Sequence, residues 1–190
     1  MTKHIGIIGI GAYVPDQVMT NDDWAEPVDT TDEWITARTG IKTRRIAAAE
    51  QTTVDLAAEA TTRALADAGL EICDIDEIIV ATDTPEVMIP DTAPYLQHQL
   101  GAREIPTYDL AGSGCAGFVL ALDIARSRTA QDNQKVLVVG VELLTRQMNW
   151  HDRSTCVLFG DGAGAVVLTA SDEPGIISSC LLYTSPSPRD

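Results

Sequence analysis

An amphipathic helix followed by a buried strand sets the fold class of this chain. Between residues 52 and 68 apolar residues recur at helical spacing, and Gly69 ends the pattern. Thr52 and Asp55 stand at its start in the arrangement of a capping box. Residues 77–82 then have the composition of a buried strand. This alternation of helix and strand implies a parallel crossover and therefore an α/β fold.

Further elements are predicted on both sides of this unit. The expected strands are residues 5–14, apolar on both faces and buried, then 107–110, 135–141, a strand entered through the glycine-rich turn at 159–164, and 176–179. Residues 92–100 have a helical pattern. Gly9 and Gly11 do not predict a dinucleotide-binding loop, because Val14 stands where the third glycine is needed and no helix begins there.

Composition and charge exclude several classes of protein. The formal net charge of −15 argues against nucleic-acid binding. The four cysteines and three histidines show no metal-ligand spacing, so neither a disulfide framework nor a metal site is expected. No apolar run is long enough to span a membrane, and the first residues lack the cleavage site of a signal peptide. These features predict a cytoplasmic protein with reduced thiols.

Cys115 follows a predicted strand and precedes a predicted helix. Gly112, Gly114 and Gly117 allow a sharp turn between the two elements. At such a position the backbone N–H groups and the positive end of the helix dipole favour a thiolate. The residues alone leave two interpretations: a nucleophile, or a buried cysteine that fills a tight contact between helix and strand.

Residues 38–45 form the dense basic stretch of an otherwise acidic chain. One interpretation is a solvated loop whose charges offset neighbouring acids. The other is a contact for a phosphate or another anion, with Trp34 nearby as a flat stacking surface.

Five separated motifs together resemble the β-ketoacyl-acyl-carrier-protein synthase III enzymes of the thiolase superfamily. They are DTTDEWI (29–35), RTGI (38–41), GCAGF (114–118), DR (152–153) and FGDGAGA (159–165). The resemblance covers residues 5–179 and implies an N-terminal thiolase-like half-domain over 1–179, with a mixed, mostly parallel five-stranded sheet flanked by helices. Residues 180–190, with their Ser-Pro-Ser-Pro run, change character abruptly, and we expect a non-native tail there.

The resemblance also implies a reaction. An acyl-CoA would prime Cys115, and malonyl-acyl carrier protein would then lose CO2 and attack the acyl-cysteine, the first condensation of fatty acid synthesis. The implied partners are acyl-CoA, malonyl-acyl carrier protein and a second copy of the full-length protein in a homodimer. Coenzyme A enters as part of the substrate, and neither a cofactor nor a metal is implied.

Binding roles follow from the same resemblance. Trp34 would stack on the adenine of CoA with help from Arg153, and Arg38 and Thr39 would line the same channel. Phe159 would line the entrance for the acyl-CoA.

Two further roles concern the acyl group and the carrier protein. Ile89 falls where the family closes the acyl pocket, often from the neighbouring subunit. Lys42, Arg44 and Arg45 form a local basic cluster, which we expect to be a docking patch for the carrier protein.

The chain departs from the family pattern in two places. The interval from Asp109 to Cys115 is one residue longer than expected. The family takes its catalytic histidine and asparagine from a second half, and neither His98 nor His151 lies in a matching motif. We therefore expect this chain to accept an acyl group without condensing it. Two other functions stay open: another acyl-CoA-primed condensing enzyme, such as a polyketide starter synthase, or a non-catalytic thiolase-fold interaction module.

Overall fold

The computed structural model describes residues 4–24, 28–132 and 134–180 of the 190-residue chain. Its α-helices are α1 (Asp32–Thr39), α2 (Thr53–Ala68), α3 (Thr92–Leu100) and α4 (Gly117–Asp132). Its strands are β1 (His4–Tyr13), β2 (Gln17–Thr20), β3 (Thr43–Ile46), β4 (Glu77–Ala81), β5 (Thr107–Leu110), β6 (Val136–Leu143) and β7 (Asp161–Ser171). The tail predicted at 180–190 lies outside the described residues except for Cys180, which is exposed.

Five strands form one mixed sheet in the order β1-β7-β6-β4-β5. Strand β4 pairs in parallel with both β5 and β6. Strand β7 is antiparallel to its two neighbours, β1 and β6. Four of the five strands therefore run in one direction, as the predicted mixed, mostly parallel sheet requires. Strands β2 and β3 form a separate antiparallel pair.

Helices cover both faces of the sheet and divide the core into two apolar clusters. On one face α2 and α3 pack on the sheet, burying for example Leu56 and Leu96 completely. On the other face α4 contributes Ala121 and Ala125, which are also fully buried. The burial of these apolar side chains is the main force that holds the layers together.

The start and end of α2 confirm the signals in its sequence. The Thr52 hydroxyl accepts a hydrogen bond from the Asp55 amide at 3.1 Å, and the Asp55 carboxylate accepts one from the Thr52 amide at 2.9 Å. Gly69 ends the helix in the left-handed conformation, with φ of 64°. The predicted capping box is therefore present.

Gly9 and Gly11 let β1 approach α2 closely. A Cβ atom placed on Gly9 would lie 2.3 Å from the Ala64 carbonyl oxygen, and one on Gly11 would lie 2.1 Å from that of Ala60. Any side chain at these positions would push the helix away from the sheet. Helix packing thus accounts for the two glycines without a nucleotide.

The prediction that β1 is buried on both faces is wrong. Ile7 and Ile10 are 42% and 63% exposed, although Ile5 and Gly9 on the same strand are buried. Ile7 lines one cavity together with Val119 of α4, which is 56% exposed. Apolar composition did not distinguish the two faces, because α2 covers one face of β1 while α4 leaves part of the other open.

Other boundaries also differ from expectation. Residues 176–179 form no strand; one hydrogen bond of 2.8 Å joins the Ile176 amide to the Ile5 carbonyl. Strand β6 continues two residues past its predicted end, to Leu143, because it pairs with β7 as far as Asp161.

In the 159–165 motif the close backbone approach occurs at Gly160, where a Cβ atom would lie 3.0 Å from the Arg45 carbonyl oxygen.

No helix in the described part of the chain is long and apolar enough to cross a membrane.

Replacing Gly11 by alanine is expected to lower the free energy of unfolding by at least about 2 kcal/mol, because the new methyl group overlaps the α2 backbone. Urea denaturation followed by circular dichroism measures the change. G164A on the neighbouring strand is the matched control, since the nearest atom to its Cβ is 4.0 Å away. Equal stability of the two variants would contradict this account of the packing between β1 and α2.

Candidate functional site

The parallel pairing of β4 with β5 and β6 brings three strand ends to one edge of the sheet. Asp83 and Thr84 follow β4, the turn with Cys115 follows β5, and Glu142 lies near the end of β6. In open α/β sheets, ligands bind in crevices beyond the carboxyl ends of the strands. The candidate site therefore begins at this edge.

Cys115 lies in a short 3-10 turn, Gly114–Ala116, that leads directly into α4. The cysteine is exposed, so the interpretation as a buried packing residue is wrong. Gly112 and Gly114 have φ angles of 76° and 53°, which few other residues adopt without strain. A Cβ atom on Gly117 would lie 3.4 Å from that of Ala81, in ordinary contact. The predicted turn from strand to helix is present, with the thiol at its surface.

Asp83 holds this turn through backbone hydrogen bonds. Its carboxylate accepts the amides of Gly112 and Gly114, the latter at 2.8 Å. Asp83 was not among the residues predicted from the sequence. The available signal was positional: an aspartate two residues after a buried strand, beside the strand that ends at the cysteine turn.

Glu142 holds the segment that carries Asp83. Its carboxylate accepts the Asp83 amide at 2.8 Å and the Thr84 hydroxyl at 2.7 Å. Burial raises the pKa of Glu142, and the negative charge of Asp83 raises it further, while the two hydrogen bonds act in the opposite direction. Glu142 thus holds the segment of Asp83, and Asp83 in turn holds the turn that carries Cys115.

A separate cluster, which the sequence analysis also singled out for ligand binding, forms around Trp34 on α1. The guanidinium carbons of Arg38 and Arg153 lie 4.3 and 4.6 Å from the centre of the indole ring. Arg153 also donates a hydrogen bond of 2.6 Å to the Asp29 carbonyl. Among the described residues neither arginine forms an ion pair with a carboxylate. An aromatic surface beside two available cations suits a ligand with a flat ring and phosphates.

The other residues singled out from the sequence have different surroundings. The Thr39 hydroxyl donates to the Ile35 carbonyl at 2.8 Å and accepts the Ile41 amide at 3.0 Å, so it stabilises the end of α1. Phe159 is half-buried just before β7. Ile89 is 88% exposed on the loop between β4 and α3, which starts from the same edge of the sheet as Asp83.

The prediction that Arg44 belongs to a docking patch for a carrier protein is wrong. Its side chain is 4% exposed and donates to the Asn21 side chain and the Val157 carbonyl. Burial lowers the pKa of Arg44. Lys42 is paired with Asp32 at 3.2 Å. Arg44 therefore ties β3 to the segment before Phe159 and is not available to a partner.

In the parts of the chain that the structure describes, no three His, Cys, Asp or Glu residues are arranged to hold a metal ion.

Comparison with known proteins finds relatives that share one name. A family model described as 3-oxoacyl-[acyl-carrier-protein (ACP)] synthase III matches residues 108–185. A β-ketoacyl-[acyl-carrier-protein] synthase III from Neisseria gonorrhoeae is 56% identical over 94% of this chain and 56% of its own length. The protein of the same name from Methylococcus capsulatus is 48% identical, again over 94% of this chain and 56% of its own length.

Solved structures agree with the sequence comparisons. A 3-oxoacyl-[acyl-carrier-protein] synthase III from Aquifex aeolicus is 50% identical with a TM-score of 0.85, over 89% of this chain and 55% of that one. The priming β-ketosynthase of the R1128 polyketide pathway is 39% identical with a TM-score of 0.87, over 92% and 52%. The fold is that of the thiolase-like condensing enzymes. The chain is similar to β-ketoacyl-acyl-carrier-protein synthase III enzymes over 94% of its length and spans about half the length of the curated relatives that it matches.

Iodoacetamide at neutral pH is expected to alkylate Cys115 and Cys73 in the folded protein and to leave Cys156 unmodified. Cys156 is fully buried, and its burial raises the pKa of its thiol, whereas the other two are exposed. Peptide mass spectrometry measures each site. Unfolding in guanidinium is the control and should make Cys156 as reactive as Cys73. Modification of Cys156 in the folded protein at the rate of Cys73 would show that the structure places it incorrectly.

Proposed function

We propose that this chain is the acyl-accepting part of a β-ketoacyl-acyl-carrier-protein synthase III. The observation that carries the proposal is the exposed Cys115 on a glycine turn at the start of α4, beside the carboxyl ends of β4 and β5. The identity of 56% to a synthase of that name supports the assignment.

In the proposed reaction the Cys115 thiolate attacks the thioester carbonyl of an acyl-CoA. The bond from carbonyl carbon to CoA sulfur breaks, CoA leaves as a thiolate that takes up a proton, and the acyl group stays on the cysteine. The carbonyl oxygen becomes negative during the attack and needs donors. The first N–H groups of a helix have no partner within it, so the Cys115 amide is suited to this role.

Trp34, Arg38 and Arg153 are proposed to bind CoA. The indole offers a stacking surface for adenine, and the guanidinium groups 4.3 and 4.6 Å from its centre offer charge for the phosphates. Thr39 is proposed to line the same channel, Phe159 its entrance, and Ile89 the acyl pocket. The exposure of Ile89 leaves it free to contact a neighbouring subunit.

The second half-reaction is proposed to need groups that this chain does not supply. Malonyl-acyl carrier protein would lose CO2, and its carbanion would attack the acyl-cysteine, with a histidine and an asparagine of the whole protein stabilising the carbanion. The whole protein is proposed to be a cytoplasmic homodimer that uses no cofactor beyond the CoA thioester. The exposed apolar residues Ile7, Ile10 and Val119 provide surface for such an association.

A polyketide priming synthase is the second candidate function. It is favoured by the structural match to the priming ketosynthase of the R1128 pathway, with a TM-score of 0.87. The two candidates share the acylation of Cys115 and differ in the carrier protein that delivers the extender. A non-catalytic interaction module, the third possibility, would not be acylated.

Incubation with acetyl-CoA is expected to add one acetyl group to Cys115, because the thiol is exposed at the start of a helix. Intact mass spectrometry before and after hydroxylamine, which cleaves thioesters, measures the adduct. C115S should lose it, and C73S, at another exposed cysteine, should keep it. An adduct that persists in C115S would refute the assignment of the nucleophile. The absence of an adduct in both the unsubstituted chain and C73S would favour the interaction module. Release of CO2 from malonyl-acyl carrier protein by this chain alone would contradict the proposed division of the reaction.

Replacing Arg38 or Arg153 by alanine is expected to weaken CoA binding about tenfold, a loss of about 1.4 kcal/mol, because each removes a cation next to the Trp34 ring. Isothermal titration calorimetry with CoA measures the affinity. Arg63 lies 5.2 Å from the Tyr13 ring elsewhere on the fold, so R63A is the matched control. If R63A weakens binding as much as R38A, the effect is one of overall charge and the Trp34 cluster is not the binding site.

A further inference from the structure

We infer that Asp83 is a positioning residue that fixes the turn carrying Cys115. Its two carboxylate oxygens accept different amides, those of Gly112 and Gly114, on either side of Ser113. The second of these amides immediately precedes Cys115. We call these two hydrogen bonds the anchor. The effect of the anchor on acylation rests on the proposed function, whereas its effect on the turn does not.

Besides Asp83, backbone hydrogen bonds from Ala116 to Ser113 and from Gly117 to Gly114 close the turn, and its side chains add little. Residues 111–114 are Ala-Gly-Ser-Gly, and Ala111, Gly112 and Gly114 are exposed. Ser113 makes no capping hydrogen bond through its side chain. Such a sequence has much conformational freedom to lose, and side chains this small contribute little packing. Hydrogen bonds to a charged carboxylate are among the stronger ones available to a backbone amide.

The geometry of the turn also suits an anion. Gly112 and Gly114 are left-handed, and Ser113 between them has φ of −105° and ψ of 0°. Alternating backbone conformations of this kind point successive N–H groups into one concave space that binds anions. Here the chain's own carboxylate occupies that space. The extra residue noted before Cys115 in the sequence falls within this turn.

Asp83 is itself held firmly. Its amide donates to Glu142 at 2.8 Å, and the Thr84 hydroxyl donates to the same carboxylate at 2.7 Å while accepting the Leu143 amide at 2.9 Å. The Thr53 hydroxyl, at the start of α2, donates to the Thr84 carbonyl at 2.7 Å. The anchor therefore connects the nucleophile turn to β6 and α2, which are buried in the core.

This arrangement predicts a specific kinetic effect. A loosened turn displaces the Cys115 thiol from its position at the start of α4, and small misplacements of reacting groups cost large factors in rate. The Trp34 cluster stands on other elements, α1 and the segment before β7, so CoA binding is expected to be unaffected.

The test compares D83A, D83N and the matched control D67A. Asp67 also accepts a backbone amide, that of Ile10 at 2.9 Å, but on α2. At saturating acetyl-CoA, D83A is expected to acylate Cys115 between about tenfold and a hundredfold more slowly, with the half-saturating concentration unchanged. D83N should be intermediate, because asparagine keeps one acceptor oxygen. D67A should acylate at the normal rate.

Amide hydrogen exchange provides a readout that does not depend on the reaction. In D83A the peptide covering residues 110–117 should exchange faster, while the peptides of α2 and β4 stay protected. Normal acylation by D83A, or unchanged exchange in the turn, would overturn the inference. Equal loss of protection across α2 and β4 would also overturn it, since Asp83 would then serve overall stability. If the unsubstituted chain is not acylated, the proposed function fails, and the exchange comparison alone decides on Asp83.

Discussion

The parallel pairing of β4 with both β5 and β6 is the constraint on which the candidate site depends. Because the three strands run in the same direction, whatever follows each of them is delivered to one edge of the sheet. Asp83, Cys115 and Glu142 are far apart in the chain and become neighbours through this pairing. Helices on both faces bury the strands, so the edge is rigid even though the turn that carries the thiol consists of small residues.

Two regions of different character make up the site. At the sheet edge the polar groups are acidic and hydrogen-bonded to backbone amides, which suits the placement of a thiol. Around Trp34 they are cationic, in a chain whose net charge is −15. In such a chain a local pair of arginines next to an aromatic ring is suited to attract an anionic ligand. Under the proposed function, separate elements would anchor the ligand and perform the chemistry.

Local signals in the sequence predicted much of the fold. The capping box of α2, the glycine after it and the turn at Cys115 each depend on a few adjacent residues, and the structure confirms all three. Features set by tertiary contacts escaped prediction. Arg44 lies in a run of charges typical of a solvated loop, yet the fold buries it against Asn21 and Val157.

The same limit applies to the candidate site. Trp34 and Arg153 were paired through the resemblance to a family, and the structure brings them into contact. Asp83 has no sequence pattern around it, because its partners Gly112, Gly114 and Glu142 lie 29 to 59 residues further along. Likewise, apolar composition could not tell that Ile7 and Ile10 lie on a face of β1 that α4 covers only in part.

The antiparallel strand β7 has a consequence for how the molecule folds. It joins the first strand of the chain to the rest of the sheet, pairing residues 4–13 with residues 163–171. Contacts between distant residues form slowly, because a long loop must close before they bring any gain. The strands β4, β5 and β6 and the helices between them have closer partners. Strand β1 can therefore pair with β7 only after the residues between them have been made, and it is seated in the sheet after the strands whose partners are nearer in the chain.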